Sequence, residues 1–335
     1  MYLVTGPTGN VGGELVLALR AADQPVRALV RSDPPAGTFP GDVDVRRGDL
    51  SDASSLQDAW DGVSGVFLLP GYDETPAILR DARAAGVERV VLLSGGSAGS
   101  GDMSNAITAY MVRSESAVRD SGLEWTLLRP TAFMSNALRW RDQIRDGGTV
   151  RLPFAGVPIA CVDPFDIAAV AAGALRDGRH SGQTHVLTGP ESLLPADQVR
   201  ILGEVLNREL TFEAQPDDEA RREMLETTPP QYVDAFFDFY VGGSLDESKV
   251  TATVQQLTGR PPRMFRVWAR EHAAEFDSRA SSQRRGGRQQ ARDAIAVQRP
   301  RDAPLGHERG DEPGRRDVVR GIQRGARRRG DPEAP

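Results

Sequence analysis

Gly6, Gly9 and Gly12 stand at even spacing between a short apolar run, Tyr2–Thr5, and a helix-like run, Val11–Arg20. A turn built this way has few uses. The first glycine permits a tight reversal from strand to helix, the second lets a ligand's pyrophosphate approach the backbone, and the third lets helix and strand pack closely. Phosphates then sit at the helix N-terminus, where free N–H groups and the helix dipole favour anions. Thr5 and Thr8 offer hydroxyl donors beside the glycines, and Asn10 and Val11 complete the loop. The spacing predicts a dinucleotide-binding turn; the competing reading is a glycine-rich turn in some other α/β fold.

The flanking pattern decides between them. Strands are expected at Tyr2–Thr5, Val26–Val30, Val43–Arg46, Gly65–Leu69, Arg89–Ser94 and Trp125–Leu128, with helices at Val11–Arg20, Ser54–Trp60, Thr75–Ala85 and Ala106–Ser121. Runs such as Val66-Phe67-Leu68-Leu69 and Val90-Val91-Leu92-Leu93 are apolar at every position, as strands covered by helices on both faces must be. Alternating strand and helix predicts an α/β fold, a doubly wound parallel sheet of the Rossmann type. After Leu128 the alternation ends. Arg129-Pro130-Thr131 is expected to break the strand, Ala132–Arg145 to be helical and Val150–Ala160 extended. Further helices are expected at Asp163–Leu175, Pro195–Leu206 and Gln231–Tyr240, and a strand at Thr184–Leu187. This half reads as a smaller C-terminal α/β lobe over the carboxyl ends of the strands. The core spans residues 1 to about 130 and the lobe about 131 to 277.

At the end of the second strand an NAD site places an acidic residue on the ribose 2′-hydroxyl, about 20 residues beyond the glycines. Here the chain reads Val30-Arg31-Ser32. A guanidinium there suits the 2′-phosphate of NADP, so NADP(H) is the preferred cofactor and NAD(H) the alternative; an ordinary exposed Arg fits the same position. After the third strand, Asp49 can accept from the adenine amino group and Leu50 can flank the ring, while Asp52 caps the next helix.

A proton donor is harder to find. Short-chain dehydrogenases use a Tyr with a Lys four residues later. Tyr110 is followed at that spacing by Ser114, and the only Lys in the chain is Lys249. Arg113 is turned about 100° away on a helix. Tyr110 is therefore a weak catalytic candidate, without its partner. Hydride transfer is the cofactor's chemistry, with the protein supplying orientation and a dry pocket. Leu69, Pro70, Ser94 and Gly95 are expected around the nicotinamide, and Tyr110, Pro130, Thr131 and Phe133 around the substrate; each also fits ordinary packing. His180 and His185 lack metal-ligand spacing, Asp217, Asp218 and Glu219 read as a helix start, and Cys161 reads as a buried small residue, so no metal site is expected.

Composition limits the partners. The chain of 335 residues carries 41 basic and 47 acidic residues; 15 Arg and 8 acidic residues fall in 278–335, leaving 26 basic against 39 acidic in 1–277. An acidic body is a poor nucleic-acid surface. The Arg-rich segment 278–335 has no hydrophobic period and is expected to be disordered; it reads either as an adventitious extension or as a contact for RNA or acidic partners. A single Cys, no run approaching the ~20 apolar residues of a membrane helix, and no signal-like start predict a cytoplasmic protein.

The blocks Val4–Gly12, Val30-Arg31, Gly48-Asp49-Leu50, Ser121–Pro130, Val162–Ala168 and Leu187–Glu191 together resemble the NmrA-like family, atypical relatives of the short-chain dehydrogenases/reductases. The resemblance covers residue 1 to about Phe276. It implies cofactor contacts at Gly6, Gly9, Gly12 and Arg31 and a substrate pocket under the lobe. It also implies one of two roles: NADPH-dependent reduction, including of quinones, or non-catalytic NADP(H) sensing through a protein partner. The leading expectation is a reductase of a small electron-poor acceptor such as a quinone.

Overall fold

A computed structural model of the chain describes residues 1–277; the expected disordered segment 278–335 lies outside the described residues. The strands are β1 (Tyr2–Thr5), β2 (Val26–Val30), β3 (Asp44–Arg47), β4 (Gly65–Leu68), β5 (Arg89–Leu93), β6 (Glu124–Pro130), β7 (Thr149–Leu152), β8 (Gln183–Leu187) and β9 (Thr211–Ala214). The α-helices are α1 (Asn10–Ala21), α2 (Thr75–Ala84), α3 (Ala106–Arg119), α4 (Arg141–Asp146), α5 (Pro164–Arg176), α6 (Pro195–Leu206), α7 (Asp217–Thr227), α8 (Pro230–Tyr240), α9 (Thr253–Thr258) and α10 (Phe265–Glu271).

Seven strands form one parallel sheet in the order β3-β2-β1-β4-β5-β6-β8. The order reverses between β1 and β4, which opens a crevice at their carboxyl ends, the place where such sheets bind ligands. Alternate residues of each strand feed two cores. Val4, Phe67, Val91, Leu93 and Leu128 face α1 and α5. Leu3, Val66, Leu68, Val90, Leu92 and Leu127 face α2 and α3. The uninterrupted apolar runs follow from this two-sided burial, worth roughly 1.5–3 kcal/mol for each fully buried large side chain.

Several local expectations fail for physical reasons. Residues 53–59 form a 3-10 helix, not an α-helix, and the expected helix Ala132–Arg145 divides into a 3-10 segment, Met134–Trp140, and α4. β6 does not break at Arg129-Pro130. It continues to Pro130, which pairs with Leu187, while Thr131 N donates to Leu187 O at 3.0 Å. Residues 129 and 131 face β8, so the missing N–H of Pro130 points toward β5, which has already ended. The expected extended run Val150–Ala160 is a strand only over Thr149–Leu152, where β7 pairs with β9, a strand not anticipated. α9 and α10 were not anticipated either. α10 fills the lobe's core with the fully buried Phe265 and Trp268.

Candidate functional site

The glycine loop forms a cradle. Gly6 has φ +60°, a conformation that suits glycine, and a Cβ there would fall 2.7 Å from Leu69 Cδ1. A Cβ on Gly12 would stand 2.1 Å from Gly6 O and 2.7 Å from its carbonyl carbon, so only a glycine lets α1 start this close to the turn. Gly9 is the N-cap of α1; no side chain caps it and no acidic residue lies in the first turn. The first amides of α1 are therefore left for an anion, and the cradle fits a pyrophosphate. A cavity of about 260 Å³ opens against it, bounded among others by Pro7, Gly9, Asn10, Ser135, Asp163 and Trp268. A wider groove of about 520 Å³ runs along α6 past Arg200, Glu204 and Arg208, with no tie to the strand ends.

Around the cradle the anticipated residues separate by what their polar atoms already do. Thr8 and Asn10 are exposed on the loop, and Val11 and Gly12 are buried behind it. Thr5 is buried; its hydroxyl donates to Phe67 O at 2.9 Å and accepts from Leu69 N at 3.1 Å, so it ties β1 to β4 across the crevice and its proton does not reach the phosphates. Arg31 is exposed at the end of β2 and makes no ion pair among the described residues. Asp49 accepts from Ser51 N at 2.9 Å, and Leu50 is buried in the core on the α2 face. Leu69 is half-buried over Gly6 and Pro70 is buried. Asp52 caps the 3-10 helix through Ser54 N.

The carboxyl ends of β5 and β6 are held by a buried ion cluster that sequence reasoning missed. Ser94 Oγ donates to Glu115 Oε1 at 2.6 Å, and Arg129 reaches both oxygens of the same carboxylate at 2.8 and 2.6 Å. Arg119 adds a contact at 2.9 Å. Glu115 is 1% exposed. Burial pushes its pKa up, but the hydrogen bonds and charge of Arg129, with Ser94 and Arg119, hold it below the ordinary carboxylate value. The hydroxyl of Ser94 is thus committed to the scaffold, and the Ser94 contact with a cofactor would have to come from its backbone.

Tyr110 is 4% exposed, meets Tyr232 edge-on at 6.4 Å, and its hydroxyl finds no hydrogen-bond partner among the described residues. Burial, with Tyr232 beside it, drives its pKa far above 10. Ser114, standing where a Lys would assist, donates to Tyr110 O and accepts from Gly71 N, both at 2.9 Å. Thr131 is buried and donates to Ala160 O at 2.6 Å; Phe133 bridges to Val162 and is half-buried. Asn105 joins the two halves: Oδ1 caps α3 through Ile107 N and Thr108 N, while Nδ2 donates to Ala235 O at 3.2 Å and Asp238 Oδ2 at 2.9 Å on α8.

Beside Pro130 lies a second buried carboxyl that no motif pointed to. Glu247 is 8% exposed, in the loop after α8. Tyr240 Oη donates to its Oε2 at 3.0 Å, and the Ala132 amide also donates to the carboxylate. A Cβ on Gly96 would stand 3.7 Å from Oε1. Burial raises the Glu247 pKa to about 7 against the pull of those two donors. The neighbouring Cys161 is buried and its thiol is pushed up to about 12 by burial and by Glu247, which leaves it inert. His180 Nδ1 and His185 Nε2 lie 3.2 Å apart, away from the strand carboxyl ends. No group of His, Cys, Asp and Glu suited to a metal ion occurs among the described residues.

A doubly wound parallel sheet with a glycine cradle at its switch point defines a Rossmann-type dinucleotide-binding protein. A family profile described as NAD(P)H-binding matches residues 6–177. The chain belongs to this NAD(P)H-binding family, and its fold is shared by an NmrA structure at 19% identity with a TM-score of 0.63, covering 81% of this chain and 94% of that one. It is 41% identical to a (4-alkanoyl-5-oxo-2,5-dihydrofuran-3-yl)methyl phosphate reductase of Streptomyces griseus, over 82% of this chain and 99% of the relative. It is 33% identical to an NAD(P)H azoreductase of Xenophilus azovorans, over 82% and 99%. Its fold matches an NADPH-dependent quinone oxidoreductase of Escherichia coli with a TM-score of 0.68 at 22% identity, covering 83% of this chain and 100% of that one. A Citrobacter triphenylmethane reductase complexed with NADP(H) matches at 0.66 and 22%, covering 82% and 100%. No helix among the described residues is long and apolar enough to cross a membrane.

Proposed function

We propose that the protein is a cytoplasmic NADPH-dependent reductase of a small, flat, electron-poor acceptor, a quinone or another conjugated carbonyl. The observation that carries this reading is the uncapped, acid-free start of α1 behind Gly9, facing a crevice whose far side is the lobe. Two relatives above 30% identity, both reductases and both matched over 99% of their own length, support it.

In this reading the amides of Asn10, Val11 and Gly12 bind the pyrophosphate, with the side chains of Thr8 and Asn10 at its edge. Arg31 takes the 2′-phosphate, which favours NADPH over NADH. Asp49 faces the adenine, with Leu50 as a wall behind it. Leu69, Pro70 and the Ser94 backbone border the nicotinamide, and Tyr110, Pro130, Thr131 and Phe133 bound the acceptor site. The reduced nicotinamide supplies the hydride when bound. The chain orients it against the acceptor and keeps water away. Residues 1–277 suffice for this activity, and 278–335 are dispensable to it.

The test uses purified protein with NADPH and NADH in turn, following cofactor fluorescence and then absorbance as quinones and unsaturated lactones are added. Tight NADPH binding with acceptor-dependent oxidation is the expected result. Binding without oxidation by any acceptor favours a redox sensor acting through a protein partner. Failure to bind either cofactor refutes the reading.

A further inference from the structure

Glu247 is costly to bury and contributes little to packing that a neutral residue would not. No Lys, Arg or His pairs with it among the described residues. Its sequence neighbours Asp246 and Lys249 pair with each other at 3.3 Å on the exposed side. A carboxyl buried without a cation normally loses its charge or its place. The chain nevertheless fixes this one firmly: Glu247 O accepts from Ala160 N at 2.8 Å, and the side chain is gripped by Tyr240 and Ala132.

Its position is the informative fact. Gly96 follows β5, and Pro130 to Ala132 end β6. The carboxyl stands beside both strand ends, in the sector where the sheet presents a ligand. Gly96 borders the carboxyl directly: a Cβ there would lie in ordinary contact, 3.7 Å from Oε1 and 3.6 Å from Pro130 O. Above it sits an aromatic wall. Tyr240 lies 5.1 Å from Phe154 and 6.5 Å from Phe236, and Phe154 meets Phe237 at 5.3 Å. Phe154 holds φ +57°, a strained conformation for a bulky residue, kept by these ring contacts. Strain of this kind gathers at functional sites, and flat rings suit a flat acceptor.

We propose that Glu247, oriented by Tyr240, is the proton donor of the reduction and supplies the acid that the missing Tyr–Lys pair would have given. The inference rests on the reductase reading above and narrows its substrate to acceptors that take up a proton, the conjugated carbonyls. The acceptor receives a hydride at carbon from the bound reduced nicotinamide, and its π electrons move to the carbonyl oxygen. That oxygen takes the proton of the Glu247 carboxyl. One C–H and one O–H bond form on the acceptor while the hydride-bearing C–H of the nicotinamide and the carboxyl O–H break; the reduced nicotinamide, when bound, would supply the two electrons, and the Glu247 carboxylate regains a proton from water.

The groups facing Glu247 agree with this role. From α8 comes the Tyr240 hydroxyl, itself kept protonated well above 10 by burial and by Glu247. From the segment before α5 comes the Cys161 thiol, neutral below about 12. From the end of β6 comes only the Ala132 amide. Arg139 lowers the Tyr240 pKa somewhat. With its pKa raised to about 7, a large share of Glu247 is protonated at neutral pH.

The experiment compares the full chain with Glu247→Gln and Tyr240→Phe. Turnover is followed from pH 5 to 9 with NADPH and two probes, a naphthoquinone and an acylated unsaturated lactone. Wild-type kcat should fall as pH rises through about 7. Glu247→Gln should lose about 100-fold or more in kcat, lose that pH dependence, and keep its NADPH affinity. Tyr240→Phe removes the donor that orients the carboxyl and favours its charged form, so it should lower kcat less than Glu247→Gln does and move the midpoint up by about one pH unit. An infrared titration of the cofactor-free chain adds a readout independent of activity: a carboxylic-acid C=O band that disappears near pH 7 and is absent from Glu247→Gln. Unchanged turnover and pH profile in Glu247→Gln overturns the donor while leaving the reductase reading intact. So does a wild-type infrared titration without that band. A wild type that binds NADPH yet reduces neither probe overturns the reductase reading and the donor with it.

Discussion

Replacing Gly12 with Ala puts a methyl carbon 2.1 Å from Gly6 O, 2.7 Å from Gly6 C and 3.1 Å from Pro7 Cα. Ordinary carbon–oxygen contacts begin near 3.3 Å, so more than an ångström must be recovered, and all three obstructing atoms are backbone. The loop must open or α1 must slide, and sliding disturbs Val11, Leu15 and Val16 against β1 and α5. Overpacking with no side chain to move lies at the upper end of its range, about 3 kcal/mol. Gly13 is the internal control. It is also in α1, but a Cβ there meets nothing nearer than Pro7 O at 3.4 Å. Gly13→Ala should therefore gain about 0.5–1 kcal/mol from helix propensity. Adjacent, identical substitutions should thus differ by roughly 4 kcal/mol, or about 8 °C in Tm at roughly 2 °C per kcal/mol for a chain of this size. Urea unfolding gives the first number and a fluorescence titration with NADPH the second consequence, a loss of binding in Gly12→Ala alone. A Gly12→Ala protein within 1 kcal/mol of wild type that binds NADPH normally would refute the close-approach argument and the cradle built on it.

Other perturbations test separate parts of the structure. Arg31→Asp should weaken NADPH by about 10–100-fold, the value of a charge-assisted hydrogen bond, and leave NADH nearly unchanged; equal losses for both cofactors remove Arg31 from the 2′-phosphate. Folding stability should fall as pH rises through 7, because the carboxyl of Glu247 is favoured in its neutral form when folded. Movement of its pKa from 4.5 to about 7 corresponds to roughly 3 kcal/mol. That stability is fully present below 4.5 and lost above 7, and urea midpoints for Glu247→Gln should lack this slope. Glu115 has the opposite sign, since its pKa is lowered: its contribution is present above the ordinary carboxylate value and lost as pH falls. Glu115→Gln strands Arg129 and should cost roughly 3 kcal/mol in urea unfolding at pH 7, while an unchanged midpoint would show that the cluster only decorates the strand ends.

The sheet was legible because its signals are local. An uninterrupted run such as Val90–Leu93 can only belong to a strand covered on both faces, and the spacing of Gly6, Gly9 and Gly12 fixes the turn without reference to anything distant. Pro130 misled because its effect depends on which edge of β6 still has a neighbour, a fact set by where β5 ends. The helix expected over Ala132–Arg145 divided because its apolar positions follow the lobe's core, not a single helical face. Of the candidate site, the geometry of the glycine turn was legible in the sequence, and so was the place of Arg31 at the end of β2. Glu115 and Glu247 gave no signal, since an isolated acidic residue in the chain looks like surface. Their partners Arg129 and Tyr240 reach them only once the chain has folded. The same holds for Thr5 and Ser94, correctly placed near the strand ends from their positions, but with hydroxyls already engaged within the scaffold.

Asn105 has a consequence for motion. One end of its side chain closes the first turn of α3, and the other holds α8, the helix that ends in Tyr240. A swing of α8 away from the sheet would strip α3 of its cap in the same movement. Opening by lifting that helix therefore carries a penalty at both ends of one amide. The segment that follows α8 contains Gly242 and Gly243, the latter at φ +73°, and leads directly to Glu247. That segment is tied down in its turn, since Gly242 N donates to Phe237 O at 2.9 Å, Ser244 N to Asp238 O at 3.2 Å, and Glu247 O accepts from Ala160 N at 2.8 Å, so α8 and the residues after it are held as one piece.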